Sequence, residues 1–187
     1  MKEISRLQNL AKRNSLSKQQ VERKSQAIQE RFLDLPEFKN AQAIMLYFSI
    51  KNEAKTKGII EKTLQLGKKV VLPVTNFENR KIVPTELGSL KELKKTRQGL
   101  FEPTGKNQVK TSELQLVVVP GIAFDTQGSR IGTGKGFYDS LLRRTTTKVP
   151  LVGLCFEENL EEALPKESHD VKMDIIVTDK KVIRCKK

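Results

Sequence analysis

The chain has no tryptophan, one histidine, two cysteines and, among its 187 residues, only eight Phe and two Tyr. So few aromatic rings leave little from which to build a base-stacking platform for nucleic acid. Two cysteines, Cys155 inside the apolar run "VPLVGLCF" and Cys185 in the basic tail, make no disulfide framework, and Cys155 reads as ordinary packing. A lone His169 is a poor basis for a metal centre or a histidine base and is set aside as structural or incidental. Long apolar runs are also missing: none nears the roughly 20 residues that cross a bilayer. The N-terminal "MKEISRLQNLAKR" is charged where a secretory signal would be apolar. A soluble cytoplasmic protein with no membrane partner is expected.

Acidic residues are outnumbered, 22 against 35 Lys and Arg, for a formal net charge of +13. Such a balance favours anionic partners without naming one. The cations are spread along the chain, with short clusters only at "KELKK", "RR" and "CKK", so small polyanions suit it better than nucleic acid. The length fits one core of ordinary size, hence one domain over 1–187.

Apolar periodicity divides the chain into alternating elements. Residues 1–34 read as two amphipathic helices packed on the domain, broken at "NSLS", where Ser15 or Ser17 can cap the second, and stopped by Leu35-Pro36. "AIMLYFSI" is a continuous apolar run, the mark of a strand buried on both faces. A helix over "TKGIIEKTLQLG" and a second strand in "KKVVLPVT" complete a right-handed βαβ unit. Residues 76–113 are less regular, with a strand at "RKIVPTEL" and a turn-rich loop at "GLFEPTGK". "LQLVVVP" is a third buried strand, "VPLVGLCF" a fourth and "DIIVTD" a fifth, with helices expected at "SLLRR" and "ENLEEALP". The alternation specifies an α/β fold: three layers, α/β/α, around a mostly parallel sheet. In such sheets ligands bind beyond the carboxyl ends of the strands, which directs attention to the loop after "VVVP".

That loop contains "RIGTGKGFYD", residues 130–139. It fits neither standard phosphate fingerprint. Gly136 follows Lys135 where a Walker loop needs Ser or Thr, Ser129 stands where that loop needs glycine, and Phe137 stands where a dinucleotide fold needs glycine. Its chemistry still suits an anion. Gly132, Gly134 and Gly136 allow positive φ and close approach of backbone N–H groups, a helix opening near Tyr138 or Asp139 adds its positive end, and Arg130 and Lys135 add full charges. Asp139 could hold a magnesium ion against the same phosphates. The bland alternative is a flexible turn with Asp139 capping the next helix.

The full segment "VVVPGIAFDTQGSRIGTGKGFYD" resembles the signature of the 5-formyltetrahydrofolate cyclo-ligase family. It departs mildly, with Ile at 122 and 131, Phe137 for a tyrosine, and Thr133 where many members carry a basic residue. "YFSIKNEAKT", "GKKVVLPVT", "GLFEP", "GLCFEENLEEALPKESHD" and "DIIVTD" agree in order, so the resemblance spans the chain. It implies an enzyme, a ligase forming a C–N bond, that uses ATP and magnesium to convert 5-formyltetrahydrofolate, with or without a polyglutamate tail, into 5,10-methenyltetrahydrofolate, and it is expected to act as a monomer. Carried over by position, Arg130 and Lys135 are the catalytic cations. Lys2, Arg6 and residues Arg130, Ile131, Gly132, Thr133, Gly134, Lys135, Gly136, Phe137 and Tyr138 hold ATP. Arg6, Phe48, Glu53 and Thr133 to Phe137 line the folate pocket, with Glu53 accepting from the pterin's N–H groups. Asp139 and Asp170 match the magnesium carboxylates. Two other classes stay open on the residues alone: an α/β enzyme of sugar phosphates or coenzyme A esters, and a basic nucleic-acid-binding protein.

Overall fold

The structure, a computed structural model, describes residues 1–145 and 148–185. Its helices are α1 (Lys2–Asn14), α2 (Lys18–Asp34), α3 (Pro36–Asn40), α4 (Lys57–Gln65) and α5 (Phe137–Leu142). Seven strands form the main sheet in the order β12-β11-β9-β6-β1-β2-β3: β1 (Ala43–Met45), β2 (Lys69–Asn76), β3 (Lys81–Leu87), β6 (Leu116–Val119), β9 (Leu151–Leu154), β11 (Ile175–Val177) and β12 (Val182–Arg184). The five inner strands are parallel, and the two edge strands β3 and β12 are antiparallel. This is the α/β fold with a mostly parallel sheet that the alternating apolar runs specify.

Period-two alternation along the inner strands sends side chains to two cores. Ile44, Val70, Leu116, Val118, Val152 and Val177 pack under Val21, Ile28 and Phe32 of α2, Phe38 of α3 and Ile59 and Ile60 of α4. Met45, Val71, Val117, Val119 and Ile176 face the other way, against Leu141 and Leu142 of α5. Residues 116–119 lose all solvent exposure, and each such aliphatic side chain contributes about 1.5–3 kcal/mol.

Several elements differ from the sequence reading. Only Ala43–Met45 of the first apolar run pairs as a strand. Leu46 N–H still reaches the Val71 carbonyl (2.9 Å), after which the chain leaves the ladder and Thr56 Oγ1 donates to the Tyr47 carbonyl (2.6 Å) and accepts from Ser49 N–H (3.0 Å). Pro36 stops α2 and opens α3 from its first position, where a missing N–H costs nothing. The expected loop "GLFEPTGK" holds β5 (Phe101–Pro103), which pairs with β4 (Leu93–Lys95). The helix expected over "ENLEEALP" is absent. Residues Glu157–Asn159 make one tight turn, and β10 (Leu160–Glu161) then pairs with β7 (Ala123–Asp125). The acidic spacing resembled a helix face, but a second strand ladder satisfies this backbone. β7 also pairs with β8 (Arg130–Ile131), so the long loop after β6 is braced by a small sheet of its own.

α1 is amphipathic as expected, but it turns its apolar side outwards. Its buried residues are Asn9 and Arg13, while Ile4 and Leu7 are exposed. A helix that buries its polar side serves something other than the apolar core.

Candidate active site

The strand order reverses at β1: β2 lies on one side of it and β6 on the other. The carboxyl ends of β1 and β6 therefore flank the crevice where ligands of such sheets sit. β1 delivers residues 46–56 there, and β6 delivers the glycine loop. Asp125 anchors the approach to that loop. Its Oδ1 accepts from Gln127 N–H (3.0 Å) and Ser129 N–H (2.8 Å), and its Oδ2 from Leu164 N–H (3.0 Å). Arg130 follows at once, so the turn fixes where that guanidinium starts.

Within the loop, Gly134 (φ 84°) and Gly136 (φ 69°) occupy the left-handed region. Gly136 precedes α5, which begins at Phe137, one residue before the expected start. Gly132 keeps an ordinary φ, contrary to the expectation of three left-handed glycines, and its carbonyl accepts from Arg6 Nε at 2.9 Å. At Gly134 a Cβ would lie 3.0 Å from the Arg6 guanidinium, so a side chain there would have to shift that guanidinium besides straining the left-handed backbone.

α1 thus lies on the loop. Arg6 reaches it directly and pairs with Glu3 on its own helix, and Lys2 Nζ donates to Asp170 Oδ2 at 2.7 Å and lies 3.3 Å from Glu167. Burial opposes the Asp170 charge, but the bond from Lys2 and the Glu167 N–H outweigh it and hold the carboxyl below its ordinary range. Burial likewise opposes the Lys2 charge, but Asp170 and the Glu167 carboxylate outweigh it and raise its pKa. Arg130, whose side chain is 5% exposed, donates from Nη2 to Asp139 Oδ1 at 2.6 Å. Burial lowers its pKa, against the pull of Asp139, Tyr138 and Asp170. The two carboxylates matched to magnesium therefore act on one guanidinium. Both offer the hard oxygen donors that magnesium takes. Asp170 further shares a cluster with Glu167 and His169, ligand atoms within 4.8 Å of one another. His169, set aside in the sequence reading, is exposed there and contacts Glu167 at 3.1 Å.

Thr133 and Lys135 are exposed on the loop, and Ile131 is buried beneath it. Lys135 Nζ lies 5.5 Å from the centroid of Phe77, which meets Phe137 edge-on at 5.6 Å. Phe77 tips the β2–β3 hairpin and was not marked by the sequence, since a lone aromatic in an irregular stretch carries no motif. It borders an open cleft of about 640 Å³ lined also by Val74, Pro103 and Lys106. Phe48 packs on Phe101 at 5.0 Å.

Glu53 accepts from Ile50 N–H at 2.9 Å. Burial raises its pKa, opposed by that hydrogen bond and by the charges of Arg13, Lys55 and Lys51. Tyr47 and Tyr138 are also raised by burial, and Glu53 adds to both shifts. Arg13, Tyr47, Glu53, Tyr138 and Arg130 are thus one electrostatic neighbourhood. Among the described residues, five buried side-chain atoms lack a hydrogen-bond partner: Arg13 Nε, Ser129 Oγ, Arg130 Nε, Tyr138 OH and Asn159 Oδ1. All belong to α1, the loop after β6 with the first turn of α5, or the turn on which α1 rests.

The profile of the 5-formyltetrahydrofolate cyclo-ligase family matches residues 1–179. The 5-formyltetrahydrofolate cyclo-ligase of Haemophilus influenzae is 33% identical over 171 residues, covering 88% of this chain and 91% of that one. The enzyme of that name from Escherichia coli K12 is 30% identical over 175 residues, covering 91% and 96%. The solution structure of the 5,10-methenyltetrahydrofolate synthetase of Aquifex aeolicus superposes with a TM-score of 0.88 at 33% identity, covering 100% of this chain and 93% of that one.

Proposed function

The chain belongs to the 5-formyltetrahydrofolate cyclo-ligase family, and from that premise we propose that it converts 5-formyltetrahydrofolate to 5,10-methenyltetrahydrofolate with ATP and magnesium, releasing ADP and phosphate. The observation that carries this reading is the docking of α1 on the glycine loop, Arg6 Nε on the Gly132 carbonyl at 2.9 Å and Lys2 on Asp170 at 2.7 Å. It brings Lys2 and Arg6 to a loop that itself carries Arg130, Lys135 and glycines whose backbone could approach a triphosphate.

The chemistry needs little acid or base from the protein. The formyl oxygen attacks the γ-phosphorus, the bond to the β–γ bridging oxygen breaks, and ADP leaves. The formyl carbon, now joined to a phosphate leaving group, is attacked by N10. Its C–O bond then breaks, phosphate departs, and N10 loses its proton as the ring closes. The work left to the protein is alignment and charge neutralisation. Lys135, free to swing from the Phe77 face, meets the transferring oxygens; Arg130, fixed by Asp139, holds the β–γ region; Arg6 stands where nucleotide and folate meet. Asp139 and Asp170 would hold magnesium, which neutralises phosphate charge when bound. Because Asp170 is paired with Lys2, occupation of that carboxylate would release the Lys2 ammonium towards the phosphates. Phe48 and Glu53 would take the pterin end, Glu53 accepting N–H bonds, for which it must be ionised despite its burial.

Purified protein with 5-formyltetrahydrofolate and MgATP should develop the near-ultraviolet absorbance of the methenyl product, with no change when nucleotide or metal is left out. Absence of product from active folate and nucleotide would overturn the reading.

A further inference from the structure

Phe77 stands at the tip of the β2–β3 hairpin, 37% exposed, directly after Asn76 closes β2. An exposed ring on its own signifies little. This one is built into place. Asn76 Oδ1 accepts from Glu78 N–H (3.0 Å) and Asn79 N–H (3.2 Å), which closes the turn, and Arg80 takes φ 53°, a left-handed conformation that is costly for a residue with a side chain. Behind the tip, Ile82 of β3 shares the second core with Leu141 and Leu142, so the hairpin is seated on the helix that follows the glycine loop. From that seat the ring makes two contacts with the end of the loop. It meets Phe137 edge-on at 5.6 Å, and the Lys135 ammonium lies over it at 5.5 Å. Lys135 has no carboxylate partner among the described residues, so the ammonium rests on this ring instead.

We propose, resting on the functional reading above, that Phe77 is a positioning residue for phosphoryl transfer: its ring gathers the Lys135 side chain at the mouth of the glycine loop and yields it to the transferring oxygens. The relative strengths make the ring a holding place and not a trap. A cation over an exposed ring gains about two- to fivefold in population, enough to narrow the rotamers of a long side chain that would otherwise be ordered only when nucleotide arrives. A charge-assisted bond to phosphate outweighs that gain, so the ammonium leaves the ring for the ligand. The edge-on contact with Phe137 fixes the tilt of the ring and ties it to the first residue of α5.

The test is a double-mutant cycle on methenyl formation, with Phe77→Leu and Phe77→Tyr each made alone and together with Lys135→Ala. Phe77→Leu should lower kcat/KM for ATP about fivefold, with the KM for the folate and the melting temperature unchanged, and Phe77→Tyr, which keeps a ring, should recover most of that loss. Beside Lys135→Ala, Phe77→Leu should cost nothing further, because the ring acts through that ammonium alone. A spectroscopic signature reads the contact without turnover. The Lys135 ε-methylene protons, assigned by their loss in Lys135→Ala, should be shifted upfield by the ring and return to the ordinary lysine position in Phe77→Leu. The full loss retained beside Lys135→Ala, or a loss confined to the KM for the folate, would make Phe77 a wall of the adjoining cleft and overturn the inference. So would an unchanged rate in Phe77→Leu or an unshifted resonance in the wild type. A wild type that forms no methenyl product, with the resonance still shifted, would instead sink the functional reading and the role that rests on it.

Discussion

Lys24 on α2 and Arg13 on α1 are both buried, 8% and 9% exposed, and the fold treats them in opposite ways. Lys24 Nζ donates to Asp179 at 2.8 Å and lies 2.9 Å from Glu158. Burial works against its charge, but those two bonds outweigh it and raise its pKa. Asp179 in turn accepts from Glu157 N–H at 2.8 Å, and despite its burial the Lys24 bond holds it below its ordinary range. Arg13 has no such company. The two helices follow one another in the chain, yet one carries a charge bonded within the fold and the other a charge with no hydrogen-bonded partner among the described residues. Polar groups that serve only the fold find their partners within it, whereas the orphans collect where α1 meets the glycine loop.

Four substitutions can break or sharpen that contrast. The largest effect is expected at Lys135, exposed and held only against the Phe77 ring. Lys135→Ala should slow turnover by about 100-fold or more, the loss typical of one preorganised group facing developing charge, with the melting temperature unchanged. Rates followed at the methenyl absorbance, beside a thermal melt, check this; a surviving rate removes the phosphate role.

Lys24→Met should do the reverse. Asp179 would keep the Glu157 N–H bond but lose its cation, at a cost of about 2 kcal/mol, or roughly 4–8 °C for a chain of this size, with activity per folded molecule kept. The pH dependence has a definite sign. Asp179 is depressed below its reference value of 3.8, so its stabilisation is complete above that value and is lost as pH falls through the lower folded value. The gap in melting temperature between wild type and Lys24→Met should close in strong acid; a gap that widens there refutes the pairing.

Asp139→Asn should raise the magnesium concentration for half-maximal rate about tenfold, since one of two ligand carboxylates becomes neutral. An unchanged metal titration would return Asp139 to the single duty of fixing Arg130. Lys2→Met should have the smallest effect, an increase of about fivefold in the KM for ATP with kcat nearly kept, because its partly exposed ammonium is screened and shared with Asp170.

The central strands were legible because "LVVV" and "LVGL" admit no other packing: every residue is apolar and every one is buried. The loop after β6 was legible as chemistry, through Arg130, Lys135 and its glycines, but not as geometry. Nothing local reveals that Leu160 pairs with Phe124 or that the Gly132 carbonyl awaits Arg6, since both contacts join distant segments. Arg13 was missed for the opposite reason. In a helix whose apolar residues include Ile4 and Leu7, a burial rule places those two inside, and the structure leaves them out. A basic residue four places after an Asn on one face was the available signal, and it gains meaning only when that face is known to be covered.

The docking of α1 has a consequence for biosynthesis. Lys2 and Asp170 are 168 positions apart, and Asn9 and Asn159 are 150 apart. A ribosome must reach Asp170 before Lys2 can find its seat, and contacts of such separation form late and slowly. Until then the Gly132 carbonyl waits for Arg6 and Asp170 for Lys2, and a nascent chain holds the loop without the two cations that α1 brings.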